Sequence, residues 1–158
     1  MVTKGNNRVI HVGGKLVLLL PCLLLMLVSV GCWSAKEDRA RLEEVNAIWT
    51  RLPVYPGLQE IASTTQSGFG KVFVSKKFRS NASYSDVKSF YVERLRQDGW
   101  EVISDRPLKD WAGGGPERHY IEFHRGDVFL SIEHAGQEAG YDWQYAIAVN
   151  WSRWNRKK

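Results

Sequence analysis

Thiols are nearly absent from this chain. Its 158 residues include two cysteines, Cys22 and Cys32, and both lie within the first 32 positions. The rest of the chain therefore has no thiol for a disulfide, a thiolate metal site or a cysteine nucleophile. Cysteine-based redox chemistry is excluded there.

The sequence motifs of common enzyme classes are also lacking. The chain contains no H-E-x-x-H or G-x-S-x-G motif, no phosphate-binding loop and no dinucleotide fingerprint. The glycine run at residues 113–115 has no lysine after it and no strand-to-helix setting, so it is typical of a flexible loop. We therefore expect no enzyme activity and no cofactor.

Positive charge is scarce once the N-terminus is set aside. Lys4, Arg8 and Lys15 are three of the 22 basic residues, which leaves 19 basic against 17 acidic side chains after residue 31. A balance this close to neutral does not indicate a nucleic-acid-binding surface. The one basic cluster, at residues 153–158, is typical of a solvated chain end.

The chain does have a hydrophobic leader. Its three basic residues precede an apolar run at residues 16–30, which the small residue Gly31 follows. This order predicts an export signal over residues 1–31. The run is short for a hydrocarbon core about 30 Å thick, although extension to Trp33 would nearly suffice, so an uncleaved single span is an alternative.

The end of the leader, Ser29-Val30-Gly31-Cys32, resembles the lipobox of bacterial lipoproteins. In that family the cysteine is acylated and becomes the mature N-terminus, so the resemblance implies lipid attachment at Cys32. Ser29 stands where the family usually has an aliphatic residue. Trp33, instead of aspartate, follows Cys32, which by the same analogy implies the outer membrane, facing the periplasm, in a host with two membranes.

Two helices are predicted after the leader. The better specified one, at about residues 84–98, has Ser83 as a cap and Gly99 as a stop. The other, at about residues 35–51, ends before Pro53 and is expected to pack on its own domain, to bind a partner or to form a stalk. Helical spacing groups the apolar side chains Val87, Phe90, Tyr91 and Leu95 in the first and Leu42, Val45, Trp49 and Leu52 in the second.

Alternating apolar residues predict antiparallel strands. Strands Arg118–Arg125 and Val128–His134 flank Gly126-Asp127, a pair suited to a type II′ turn. Further strands are predicted at residues 71–78, 100–104 and 142–151, with a short one near residues 60–63. An α+β fold follows, in which residues 53–158 form an antiparallel sheet of four to five strands with the helix at about residues 84–98 packed on one face.

Short motifs within this region resemble a widespread kind of small bacterial envelope domain, mostly of unknown function. The likeness covers roughly residues 53–104 and implies a fold but no activity. Its motifs are Tyr55-Pro56-Gly57, Phe90-Tyr91 with Leu95, and Gly99-Trp100.

Four side chains are candidates for a site in the folded region. The type II′ turn would set His119 beside His134, close enough to share a metal with an acidic ligand from residues 105–110, although two histidines closing a sheet face is the commoner outcome. Trp111 and Trp154 have no predicted core position. If exposed, they would form a binding surface for glycan, peptide or lipid headgroup, although packing in the core or under a covering loop is the commoner outcome.

The sequence favours a non-catalytic lipoprotein of the bacterial envelope, tethered through Cys32, that acts as a binding or accessory module. Its expected partners are the membrane and an envelope protein or glycan, with no nucleic acid. The competing hypotheses are a metal-dependent enzyme or metal-binding module using His119 and His134, and a protein held by an uncleaved membrane span.

Overall fold

The structure, a computed structural model, describes residues 35–108, 118–136 and 140–155. Cys32, Trp111 and the glycine loop therefore lie outside the described residues. The described chain forms two helices, six strands and one 3₁₀ turn. They are α1 (residues 35–51), β1 (Gln59–Gly68), β2 (Lys71–Arg79), α2 (Tyr84–Gln97), β3 (Glu101–Leu108), β4 (Arg118–Arg125), β5 (Val128–His134), β6 (Tyr145–Ser152) and the turn Arg153–Asn155.

The strands form one antiparallel sheet in the order β1-β2-β6-β5-β4-β3. The α+β class is therefore as predicted, but the count of four to five strands was too low. The underestimated strand is β1, which is ten residues long and pairs with β2 along its length. Its side chains are mostly polar and exposed on both faces, so it has no apolar alternation, and backbone hydrogen bonding to β2 defines it.

The other edge strand also exceeds its prediction. β3 continues past residue 104 to Leu108, and Pro107 pairs with His119. Proline usually interrupts a strand because it has no N–H to donate. It is tolerated here because β3 lies at the sheet edge and has a neighbour on one side, among the residues described.

The helix α2 matches the predicted segment. The Ser83 hydroxyl accepts a hydrogen bond from the Asp86 N–H at 3.1 Å, and Gly99 takes the positive φ of +79° that follows the helix end. Val87, Tyr91 and Leu95 are fully buried. Burial raises the pKa of Tyr91 to about 12, so its phenol stays neutral over the physiological range.

The helix α1 packs on its own domain. Val45, Ile48 and Leu52 are buried in the same core as α2 and the sheet, while Leu42 and Trp49 are partly buried against it. Ile48, which lies three residues after Val45 and four before Leu52, was missing from the predicted apolar stripe. A helix with three core residues is part of the domain and does not act as a free stalk.

The β4–β5 hairpin has the predicted register. Arg125 pairs with Val128, and Gly126 between them has φ +63°, as the first central position of a type II′ turn requires. Moving along the strands, His119 then pairs with His134. The core side chains of this hairpin lie on the face that the two helices cover. They are Ile121, Phe123, Val128, Leu130 and Ile132.

The strand β6 runs through the middle of the sheet and begins later than predicted. It starts at Tyr145 instead of residue 142, and its alternation from Tyr145 to Trp151 points into the core. Trp143 was predicted on the same face. It is buried, but it lies under Lys77, with Nζ 5.5 Å from the ring centroid, and stacks on Tyr141 outside the helix-covered core.

Candidate functional site

The predicted lipid-attachment residue, Cys32, comes three positions before the first described residue of α1. Its own structure lies outside the described residues, as does the whole leader. In the parts of the chain that the structure does describe, no helix is both long enough and apolar enough to cross a bilayer. The described residues do show how the start of α1 is joined to the sheet.

Asp38 connects the start of α1 to the turn between β1 and β2. It is 5% exposed, and its two carboxylate oxygens accept hydrogen bonds from the Gly70 N–H at 3.1 and 3.3 Å. Gly70 belongs to the turn between β1 and β2, and its carbonyl accepts a further hydrogen bond from the Arg153 N–H at 2.9 Å. Buried charges persist in proteins when such partners satisfy them.

An ion pair ties the same helix end to the end of β6. The Arg153 guanidinium contacts the Glu37 carboxylate at 2.5 Å, with both side chains part-buried. The start of α1, the β1–β2 turn and the 3₁₀ turn after β6 thus meet at one corner of the domain. We call Phe69, Trp154 and the first turns of α1 the aromatic corner.

The two aromatic side chains at this corner point into solvent. Phe69 is 96% exposed and Trp154 is 73% exposed. Phe69 also has φ +53°, in the left-handed region that costs a residue with a Cβ roughly 1–2 kcal/mol. Core packing, the commoner outcome expected for Trp154, does not occur, and the side chain is exposed as the binding-surface hypothesis requires.

Phe69 was not among the candidate surface residues predicted from the sequence. The sequence signal is the Gly68-Phe69-Gly70 tripeptide, which ends an otherwise mostly polar stretch. The glycines on either side have no side chains, so the ring of Phe69 has no adjacent side chain in the turn to pack on. That pattern distinguishes it from the phenylalanines of the strands.

The histidine pair lies at the opposite end of the sheet. His119 and His134 sit side by side with ring centroids 6.3 Å apart, as predicted from the hairpin register. Two tyrosines enclose them. Tyr84, at the start of α2, stacks on His119 at 4.5 Å, and Tyr145 packs against His134 at 4.8 Å.

This environment disfavours charge. Desolvation by burial, with the neighbouring His119 as a smaller cause, lowers the pKa of His134 below its usual 6.5. The His134 Nδ1 atom is buried and makes no hydrogen bond within the structure. Burial, together with the Asp105 carboxylate, raises the pKa of Tyr84 well above its usual value.

The acidic ligand proposed for a metal would come from residues 105–110. Asp105 is the acidic residue of this range that the structure describes. Its carboxylate contacts the Lys88 Nζ at 2.5 Å and accepts a hydrogen bond from the Tyr84 hydroxyl at 3.4 Å. Within the described ranges, no group of three or more histidine, cysteine, aspartate or glutamate side chains is arranged to hold a metal ion. His124 lies on the other face of the sheet and pairs with Glu101.

The Arg125-Gly126-Asp127 turn has a structural role. The Asp127 carboxylate accepts hydrogen bonds from the Arg41 guanidinium at 2.8 Å and from the Trp151 indole N–H at 2.9 Å. Arg41 also lies over the Trp151 ring, 4.9 Å from its centroid. The turn therefore connects α1 to the central strand.

Comparison with protein-family models, curated proteins and solved structures found no match to this chain.

Proposed function

We propose that this protein is a lipid-anchored lipoprotein of the bacterial envelope whose α+β domain acts as a non-catalytic binding or accessory module. Cys32 is the attachment residue. The expected location is the outer membrane, facing the periplasm, where the host has two membranes. The partner class is an envelope protein or glycan.

The observation that supports this proposal best is the continuity between the attachment residue and the folded domain. The helix α1 is described from residue 35, three positions after Cys32, and it contributes Val45, Ile48 and Leu52 to the core. A lipid on Cys32 would therefore hold the whole domain within a few residues of the bilayer. Two or more acyl chains are enough for stable attachment.

The test of attachment is metabolic labelling with palmitate. The wild-type chain should incorporate label and sediment with membranes, and Cys32→Ser should lose the label. The matched control is Cys22→Ser, which removes the other thiol from within the leader and should label like the wild type.

Equal labelling of the wild type and Cys32→Ser would contradict lipid attachment at this residue. If neither chain took up palmitate and both remained in the membrane fraction, the uncleaved-span alternative would replace it. Release of the unlabelled chain into the soluble fraction would contradict both forms of anchoring.

The second candidate function is metal binding by the histidine pair. It is favoured by one observation, the adjacent placement of His119 and His134 with a buried, unbonded Nδ1 on His134. Against it stands the Asp105 carboxylate, which is already bound by Lys88 and Tyr84. Imidazole nitrogens suit zinc, but a protein site normally has three or four ligands.

Zinc titration of the detergent-solubilised full chain separates the two functions. The proposed module should bind no stoichiometric zinc. Stoichiometric binding that is lost in His119→Gln and retained in His124→Gln would establish the metal site and contradict the non-catalytic, metal-free proposal. His124 is the suitable control because it lies on the other face of the same strand.

A further inference from the structure

The aromatic corner combines features that the fold itself does not use. Phe69 and Trp154 are the most exposed large apolar side chains among the described residues, and both lie at this one corner. Each is one position away from the hydrogen bond between the Gly70 carbonyl and the Arg153 N–H. Two such side chains, placed together and facing outward, mark a contact surface.

The conformation of Phe69 strengthens this interpretation. Its φ of +53° is unfavourable for a residue with a Cβ, and asparagine or glycine would adopt it at lower cost. A side chain that is 96% exposed gains no packing within the domain to offset that strain. The fold therefore gives no reason for a phenylalanine at this position, and a contact outside the domain would supply one.

The corner also has the charge that suits an anionic surface. Lys36, Arg39 and Lys71 are exposed there. Its two acidic side chains are engaged inward, Glu37 with Arg153 and Asp38 with the Gly70 N–H. Exposed cations around apolar side chains favour the interface of an anionic bilayer, where aromatic rings also concentrate.

The position of the leader identifies which surface is within reach. The hydrophobic segment at residues 16–30 and Cys32 directly precede α1. The first turns of α1, including Ala35, Asp38 and Arg39, line an open groove of about 500 Å³ together with Phe69. The aromatic corner is therefore the part of the domain nearest to any membrane attachment.

We propose that the aromatic corner docks on the anionic bilayer to which the chain is anchored, with Phe69 and Trp154 inserted at the headgroup level. The proposal rests on the membrane anchoring described above. Docking fixes the orientation of the domain, with the β1–β2 turn against the membrane and the histidine end directed away from it. Along β2 alone these ends are about 26 Å apart at 3.3 Å per residue.

Site-directed spin labelling of the full chain tests this orientation. The chain is purified from membranes and reconstituted in vesicles of phosphatidylethanolamine and phosphatidylglycerol. A nitroxide is attached at Ser67→Cys, two positions before Phe69, or at Asn81→Cys, past the other end of β2; both positions are exposed. Accessibility to oxygen and to a water-soluble nickel complex is then measured for each label.

The label at residue 67 should show a several-fold higher ratio of oxygen to nickel accessibility than the label at residue 81. Adding Phe69→Ser and Trp154→Ser should return it to the ratio at residue 81, while the chain stays in the vesicles. Phe69→Leu with Trp154→Phe should keep the high ratio, because both replacements are apolar.

Equal ratios at residues 67 and 81 in anchored chains would overturn the docking proposal. Spin–spin broadening at residue 67 would assign the corner to a contact between two copies of the chain and would also overturn it. Failure of the anchor is detected separately, because an unacylated Cys32 would react with the nitroxide reagent in the wild-type chain, to which no cysteine has been added.

Discussion

The two ends of the sheet are both rich in aromatic side chains, yet the chain uses them differently. At the histidine end, Tyr84 and Tyr145 pack over His119 and His134, and Tyr145 is fully buried. At the aromatic corner, Phe69 and Trp154 are both largely exposed to solvent. The comparison shows that residue type alone does not separate a structural aromatic cluster from an exposed one, whereas burial and bonding do.

The largest expected effect is on stability at the histidine end. Tyr145→Ala should lower the free energy of unfolding by about 3–5 kcal/mol, because it leaves a cavity in the core. It also removes the hydrogen bond that the Tyr145 hydroxyl donates to the Ala82 carbonyl at 2.9 Å. Urea unfolding of the solubilised chain, followed by fluorescence, measures the loss.

Phe69→Ala is the matched variant at the other end and should change stability by no more than about 0.5 kcal/mol, as exposed positions usually do. Similar losses in the two variants would show that the aromatic corner is structural. That result would remove the contrast between the two ends.

The next effect concerns the connection that holds the aromatic corner together. Asp38→Ala leaves the Gly70 N–H without its acceptor in a buried place and should cost about 1–3 kcal/mol. Asp38→Asn keeps one oxygen acceptor and should recover part of the loss. If both variants unfolded like the wild type in urea, the corner would not depend on this carboxylate.

A pH effect should be specific to the histidine end. Because the pKa of His134 is lowered in the folded protein, the unfolded chain binds the proton more tightly, and folding stability decreases as the pH decreases. The contribution is complete above the unfolded pKa of about 6.5 and is lost progressively below it. The wild type should therefore lose more stability between pH 7 and pH 5 than His134→Gln.

Urea unfolding at several pH values measures this difference. His124→Gln keeps His134 and should retain the steeper loss of the wild type. Parallel profiles for the wild type and His134→Gln would show that His134 is not desolvated as described.

The smallest effect is expected from relief of the Phe69 backbone. Asparagine tolerates the left-handed conformation better than phenylalanine, so Phe69→Asn should leave stability unchanged or raise it by up to about 1 kcal/mol. Thermal unfolding compares it with Phe69→Ala, which keeps the strain. A clear loss of stability in Phe69→Asn would mean that the phenylalanine ring packs within the domain.

Much of the fold could be predicted because the responsible signals are local. Ser83 and Gly99 mark the ends of α2, and the Gly126-Asp127 turn sets the β4–β5 register residue by residue. The full length of β1 could not be predicted in the same way, since only a short strand near residues 60–63 was expected. The ten residues of β1 acquire their conformation by pairing with β2, and their side chains show no pattern of burial.

The two candidate sites show the same difference between local and long-range signals. The adjacency of His119 and His134 followed from register, because paired positions in antiparallel strands share a face. The aromatic corner brings together Asp38, Gly70 and Arg153 from three separate parts of the chain. Such long-range contacts leave no periodic signal, so the role of Asp38 was not visible in the sequence, and the flanking glycines were the one sign of the exposure of Phe69.

Attachment of the domain to a membrane at Cys32 is the claim on which the functional account depends. Intact-mass and N-terminal peptide analysis of the chain purified from membranes tests it most directly. The account predicts a mature chain that begins at Cys32 and carries the added mass of its acyl chains. A chain that retains residues 1–31, or that begins elsewhere without a lipid, would contradict it.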